Sequence, residues 1–184
     1  MLIEPTSLPG VLRLTPKRFG DARGFFCEIW NKRALAEAGL DLEFVQDNHS
    51  LSAQVGTVRG LHFQAPPNAQ GKLVRCGRGA IFDVAVDIRT GSPTYGHWTG
   101  EELSFENGVM LWVPPGFAHG FMTRQPDSEI IYKCTNYYAP ASDGGVRWDS
   151  CGVDWMWDGA VITSDKDRDA PALADFDSPF TFED

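Results

Sequence analysis

Residues 82–89 read FDVAVDIR, and their alternation decides the fold class. Phe82, Val84, Val86 and Ile88 fall on one side of an extended chain, while Asp83, Asp87 and Arg89 fall among the positions on the other. Apolar and polar residues repeating every two positions mark a half-buried β-strand, because successive side chains of a strand point to opposite faces. The strand stops at Thr90-Gly91-Ser92-Pro93, a turn sequence. On either side the same punctuation recurs, with 19 Gly and 12 Pro separating short runs rich in Val, Ile, Phe, Tyr and Trp. GTVRGLHFQ (56–64), GKLVRC (71–76), Val109 to Val113 before Pro114-Pro115, and EIIYKCTNYY (129–138) are further strands by this reading. Short strands at such spacing predict an all-β sandwich or barrel. One helix is expected in NKRALAEAGL (31–40), with Asn31 as N-cap and Gly39 at its end.

The 184 residues suit one domain, 1–184, with no repeat or linker to divide it. A composition of 42% hydrophobic and 22% charged residues is that of a folded globular chain. The net charge is −9, so DNA, RNA and acidic membranes are excluded as expected partners, and any anionic ligand needs a local cluster of cations. Cys27, Cys76, Cys134 and Cys151 form no CxxC pair and are expected to be reduced, mostly packed thiols. No signal-peptide pattern opens the chain and no apolar run reaches bilayer length, which implies a cytoplasmic protein.

GVMLWVPPGFAH (108–119) has the Gly, Pro, Gly and His spacing of the second cupin motif. The first cupin motif is half present: Gly56 and His62 are in place, but Gln64 stands where metal-binding members carry histidine, and no Glu follows at the expected distance. His62 and His119 alone fall short of the three protein ligands usual for a catalytic metal, so neither metal nor other cofactor is expected. Together, FGDARGFFCEIW, QDNHS, GTVRGLHFQ, KLVRC, FDVAVDIR, SPTYG, VPPGFAHGF, YKCTNYY and TSDKD resemble the dTDP-4-dehydrorhamnose 3,5-epimerase family from about residue 3 to about residue 175. That resemblance implies a cupin jelly-roll β-barrel with a few short peripheral helices. It also implies a homodimer in which the N-terminal region of one subunit completes the other's site, and a dTDP-4-keto-6-deoxy sugar as substrate.

Inverting a carbon beside a ketone needs a base on one face, an acid on the other and stabilisation of the enolate oxygen. An imidazole titrates near neutral pH, and His62 occupies a barrel-lining position of the motif, which makes it the base. A carboxylate on its other nitrogen would fix the tautomer; the resemblance gives that role to Asp167, with Asp165 and Asp169 as neighbours in the same acidic run. It places Lys72 beside the sugar O4 and gives Tyr132 the proton for the opposite face. Arg23 and Arg59 match diphosphate and nucleotide contacts, where a guanidinium makes paired hydrogen bonds. Glu28, Gln46, Asp47 and Asn48 match positions that bind base or sugar, partly across the dimer, and His119, Asp143 and Lys166 match further ligand contacts. Phe19 or Tyr138 could stack on thymine. The expected reaction is epimerisation at C3 and C5 of dTDP-4-dehydro-6-deoxy-D-glucose. A single-centre epimerase would share the base, the acid and the nucleotide cradle, whereas a non-catalytic sugar-binding cupin could dispense with His62 or Tyr132.

Overall fold

The computed structural model describes residues 1–183. In chain order its strands are β1 (Leu2–Pro5), β2 (Leu12–Thr15), β3 (Arg18–Asp21), β4 (Gly24–Cys27), β5 (Gln46–Ser52), β6 (Val58–Gln64) and β7 (Lys72–Arg78). They continue as β8 (Ala80–Asp87), β9 (Trp98–Ser104), β10 (Met110–Val113), β11 (Phe117–Thr123), β12 (Ser128–Cys134) and β13 (Asp143–Gly145). The helices are α1 (Lys32–Glu37) and α2 (Asp165–Arg168), with 3₁₀ turns at Pro140–Ser142 and Leu173–Asp175. No helix among the described residues is long and apolar enough to cross a membrane.

Two antiparallel sheets face each other, one in the order β1-β2-β10-β7-β12-β5 and the other β13-β6-β11-β8-β9, while β3 and β4 form a separate hairpin. From β5 to β12 the chain passes repeatedly between the two sheets, as in a jelly roll, and the expected all-β barrel is the architecture found. EIIYKCTNYY forms a strand only as far as Cys134; Thr135 onward is irregular, with the Thr135 N–H bonded to the Gly71 carbonyl.

Three buried clusters hold this together. Val74, Cys76, Ile81, Ala85, Leu111, Val113, Phe117, Phe121 and Ile130 meet between the sheets. The outer face of the second sheet (Leu61, Phe63, Phe82, Val84, Val86, Met122) is covered by Val146, Cys151, Trp155 and Phe180 of the C-terminal segment. The outer face of the first (Leu14, Leu73, Met110, Trp112) is covered by Leu35 of α1 and its neighbours. Both faces of β8 are therefore buried, which corrects the half-buried reading of FDVAVDIR. Asp83 and Asp87 tolerate this because each is bonded, Asp83 to His119 and Asp87 to Arg89, Ser92 and Thr94. The helix forms where expected: the Asn31 side chain accepts the Ala34 N–H at 3.1 Å, and Gly39 beyond its end has φ +88°. Six residues are too few for an isolated helix, and α1 persists because Leu35 is buried. All four cysteines are free thiols, three of them buried.

One irregularity positions the site. On β11, His119 pairs with His62 and Phe121 with Arg59, so two steps along β11 match three along β6, a β-bulge centred on Gly60 and Leu61. In a regular strand residues 59 and 62 would face opposite ways. The bulge turns both Arg59 and His62 toward the barrel cavity.

Candidate active site

Between the sheets lies a cavity of about 400 Å³ bordered by Arg59, His62, Lys72, His119, Phe121, Tyr132, Lys166 and Asp167, with Ser50, Thr57 and Ser164 among its hydroxyl groups. His62, Lys72, Tyr132 and Lys166 also border an adjoining polar cleft of about 230 Å³, which adds Gln46, Asn48, Gln64, Gln70, Tyr138 and Asp143.

His62 and His119 come from β6 and β11 of one sheet, Lys72 and Tyr132 from β7 and β12 of the other. A flat molecule held between the sheets would thus meet the imidazoles on one side and the phenol and ammonium on the other. His62 Nε2 lies 2.6 Å from Asp167 Oδ1 across 105 residues of sequence, and its Nδ1 makes no hydrogen bond among the described residues. Asp167 Oδ2 accepts the Gly60 N–H at 3.2 Å, an amide that the bulge frees from the strand ladder. The Asp167 N–H in turn donates to Oγ of Ser164, the N-cap of α2, at 3.1 Å. That cap turns Asp167 inward, so that it is buried, while Asp165 and Asp169 stay exposed and pair with Arg168. Burial opposes ionisation of Asp167, but the hydrogen bonds from His62, Gly60 and Ser164 outweigh it and hold its pKa below the ordinary carboxylate value.

The Lys72 ammonium has no carboxylate within ion-pairing distance and makes no hydrogen bond among the described residues. Burial pushes its pKa down, and the nearby Cys134, Asp143 and Asp83 offset this in part. Burial likewise raises the pKa of the Tyr132 phenol, and Cys134 adds to that rise. A second imidazole–carboxylate pair, His119 Nε2 to Asp83 Oδ1 at 2.8 Å, is buried in the cavity wall. Asp83 was not anticipated from sequence; its signal was a charged residue on the inward face of the most apolar strand.

The remaining expected residues divide. Arg59 borders the cavity and is held by Ser52 Oγ at 3.0 Å and the Leu51 carbonyl at 3.1 Å. Gln46 and Asn48 face the cleft, but Asp47 between them points outward and pairs with Lys133 at 2.9 Å, since alternation forbids three consecutive residues on one face. Lys166 pairs with Asp143, which raises the Lys166 pKa, and the Tyr138 hydroxyl lies 3.4 Å from the same Asp143 oxygen. Arg23 is at the exposed tip of the β3–β4 hairpin, bonded to Asp21, and Glu28 accepts a hydrogen bond from Asn31 at 3.2 Å. Neither borders the cavity of its own chain, and Phe19 is exposed on the same hairpin. Gln64, at the position where metal cupins carry histidine, donates to the Tyr137 carbonyl at 2.9 Å and accepts from Ala139 N–H at 2.8 Å, tying down a loop.

A sequence profile described as dTDP-4-dehydrorhamnose 3,5-epimerase matches residues 5–175. An enzyme of that name from Sinorhizobium fredii is 50% identical over 99% of this chain and 94% of its own length. Among solved structures, the dTDP-6-deoxy-D-glucose-3,5-epimerase of Legionella pneumophila, crystallised with dTDP-4-keto-L-rhamnose, superposes with a TM-score of 0.94 at 41% identity, covering 100% of this chain and 99% of that one. A 3'-monoepimerase of Streptomyces bikiniensis in complex with dTDP-quinovose is more distant, with TM-score 0.88 and 32% identity over 94% of this chain and 88% of that one.

Proposed function

The chain belongs to the dTDP-4-dehydrorhamnose 3,5-epimerase family, and from that premise we propose that its residues 1–184 act as one domain epimerising dTDP-4-dehydro-6-deoxy-D-glucose at C3 and C5 to dTDP-4-dehydro-L-rhamnose. The observation that carries the mechanism is the division of the site between the two sheets. His62 Nδ1 takes the proton from C3 or C5 on one face, while Asp167 holds Nε2–H and stabilises the imidazolium. The electron pair moves to the C4 oxygen, beside the Lys72 ammonium, whose pull is strengthened by its burial. C3 and C5 flank the same carbonyl, so one cation serves both enolates. Tyr132, on the opposite sheet, delivers a proton to the other face and the configuration inverts.

Arg59 and Lys166 supply positive charge for the diphosphate in a protein of net charge −9, whose field disfavours nucleic acid as a partner. Arg23 and Glu28 act in the site of a second copy. This homodimer is supported by the exposure of Phe19, Phe25 and Phe26 around Arg23 on a hairpin that does not border its own cavity. The reaction belongs to the cytoplasm, where nucleotide sugars are made.

The test is incubation with dTDP-4-keto-6-deoxyglucose in D₂O, followed by NMR. Deuterium entering both C3 and C5, with formation of the L-lyxo product, is expected. Exchange at one centre alone would make this a single-centre epimerase, and binding without exchange a sugar-binding cupin.

A further inference from the structure

Most of the residues that border the main cavity are polar or charged. Three apolar residues border it: Val58, whose side chain belongs to the cluster outside the second sheet, Ile162, which is 37% exposed, and Phe121. Of these three, only Phe121 lies in the barrel interior, where the other ring packed against the same core, Tyr132, ends in a hydroxyl. Phe121 is 5% exposed and belongs to the inter-sheet core with Val74, Phe117 and Ile130, so its ring is held from behind. On β11 it stands two residues from His119, on the same face, and its register partner on β6 is Arg59.

The proposed substrate carries hydroxyls at C2 and C3, an oxygen at C4, and one purely hydrocarbon substituent, the C6 methyl on C5. We infer that Phe121 packs against this methyl and is the residue by which the site selects a 6-deoxy sugar over its 6-hydroxy counterpart. The inference rests on the proposed function and extends it to substrate specificity. A hydroxyl set against the ring would lose its water and find no partner there, and an apolar pocket rejects an isostere with an added hydroxyl by about 10²-fold. C5 is the centre next to the contact and C3 lies across the ring, so loosening the methyl should disturb inversion at C5 first.

The experiment compares wild type, Phe121→Leu, Phe121→Thr and Phe121→Tyr on dTDP-4-keto-6-deoxyglucose and on dTDP-4-ketoglucose, its 6-hydroxy analogue. The rate of deuterium incorporation at C5 and at C3 is followed by NMR. Wild type should favour the 6-deoxy compound at C5 by about 10²-fold. Leu should keep that ratio within a few-fold, whereas Thr and Tyr, which offer the 6-hydroxyl a partner, should lower it at least tenfold, with C3 exchange less affected than C5. A ratio in either polar variant equal to that of wild type overturns the inference; Tyr keeps the ring volume should Thr not fold. A wild type that exchanges neither centre of the 6-deoxy compound would instead sink the epimerase reading.

Discussion

Gly60→Ala removes nothing from the catalytic list and is nevertheless expected to disable the enzyme. A Cβ built on Gly60 would sit 2.6 Å from the Gly120 Cα and 2.9 Å from the His119 carbonyl oxygen, both backbone atoms that no side-chain rotation can clear. Its φ of +131° is also one that an L-residue adopts only with strain. Relief requires β6 and β11 to part by most of an ångström at the bulge that carries Arg59, His62 and the amide donating to Asp167. Overpacking of this kind costs about 1–3 kcal/mol of stability, and misplacing a reacting group by about 1 Å costs on the order of 10²-fold in rate. The variant should therefore melt several degrees lower, still be stabilised by dTDP, and show kcat reduced about 10²-fold with a smaller change in KM. A coupled 4-keto reductase assay, alongside thermal unfolding with and without dTDP, reads all three. A folded, dTDP-binding variant whose kcat stays within threefold of wild type would refute the view that the bulge sets the base geometry.

Four further outcomes are expected. His62→Ala should lose about 10²- to 10⁴-fold in rate while still binding dTDP, Asp167→Asn less, and the double variant less than the product of the two, because the pair acts as a unit; strict additivity in a kinetic double-mutant cycle would separate them. Tyr132→Phe keeps the ring and removes the hydroxyl, so exchange in D₂O should outlast product formation, and an equal fall in both would make Tyr132 a packing residue. Activity should survive exhaustive chelation by EDTA, given that Gln64 is committed to the 137–139 loop; abolition by EDTA and rescue by a transition metal would require Lewis-acid chemistry. Burial opposes the charge on Asp87, but bonds from Arg89, Ser92 and Thr94 prevail and lower its pKa to about 2. A depressed carboxylate stabilises the fold above its unfolded pKa, so about 2 kcal/mol should be lost as pH falls from about 4 to 2. Asp87→Asn should flatten that limb in denaturant titrations, and identical acid limbs would show that Asp87 contributes nothing to it.

Some of this protein follows from its sequence because the governing forces are local. Alternation at 82–89 and the Gly and Pro punctuation fix the strand content, since side-chain direction in a strand depends only on adjacent residues. Asn31 and Gly39 bracket α1 through capping bonds that span three or four positions. Spacing within two short motifs brings His62 and His119 forward, and the structure seats them as register partners on neighbouring strands.

What the sequence could not decide depends on distant pairing. Whether β8 is covered on one face or two depends on Trp155 and Phe180 of a C-terminal segment some seventy to a hundred residues further along the chain. That Asp167 rather than Asp165 or Asp169 meets His62 follows from the way α2, capped by Ser164, is docked against β6. Asp47 faces away from the cavity because its neighbours Gln46 and Asn48 face in, and the direction of that alternation was set by pairing with β12. Arg59 and His62 share a wall only because β6 gains a residue against β11 at Gly60. Periodicity constrains neighbours along the chain, but register, bulges and coverage are chosen by the energy of contacts between segments far apart in sequence, and those contacts exist only once the barrel has closed.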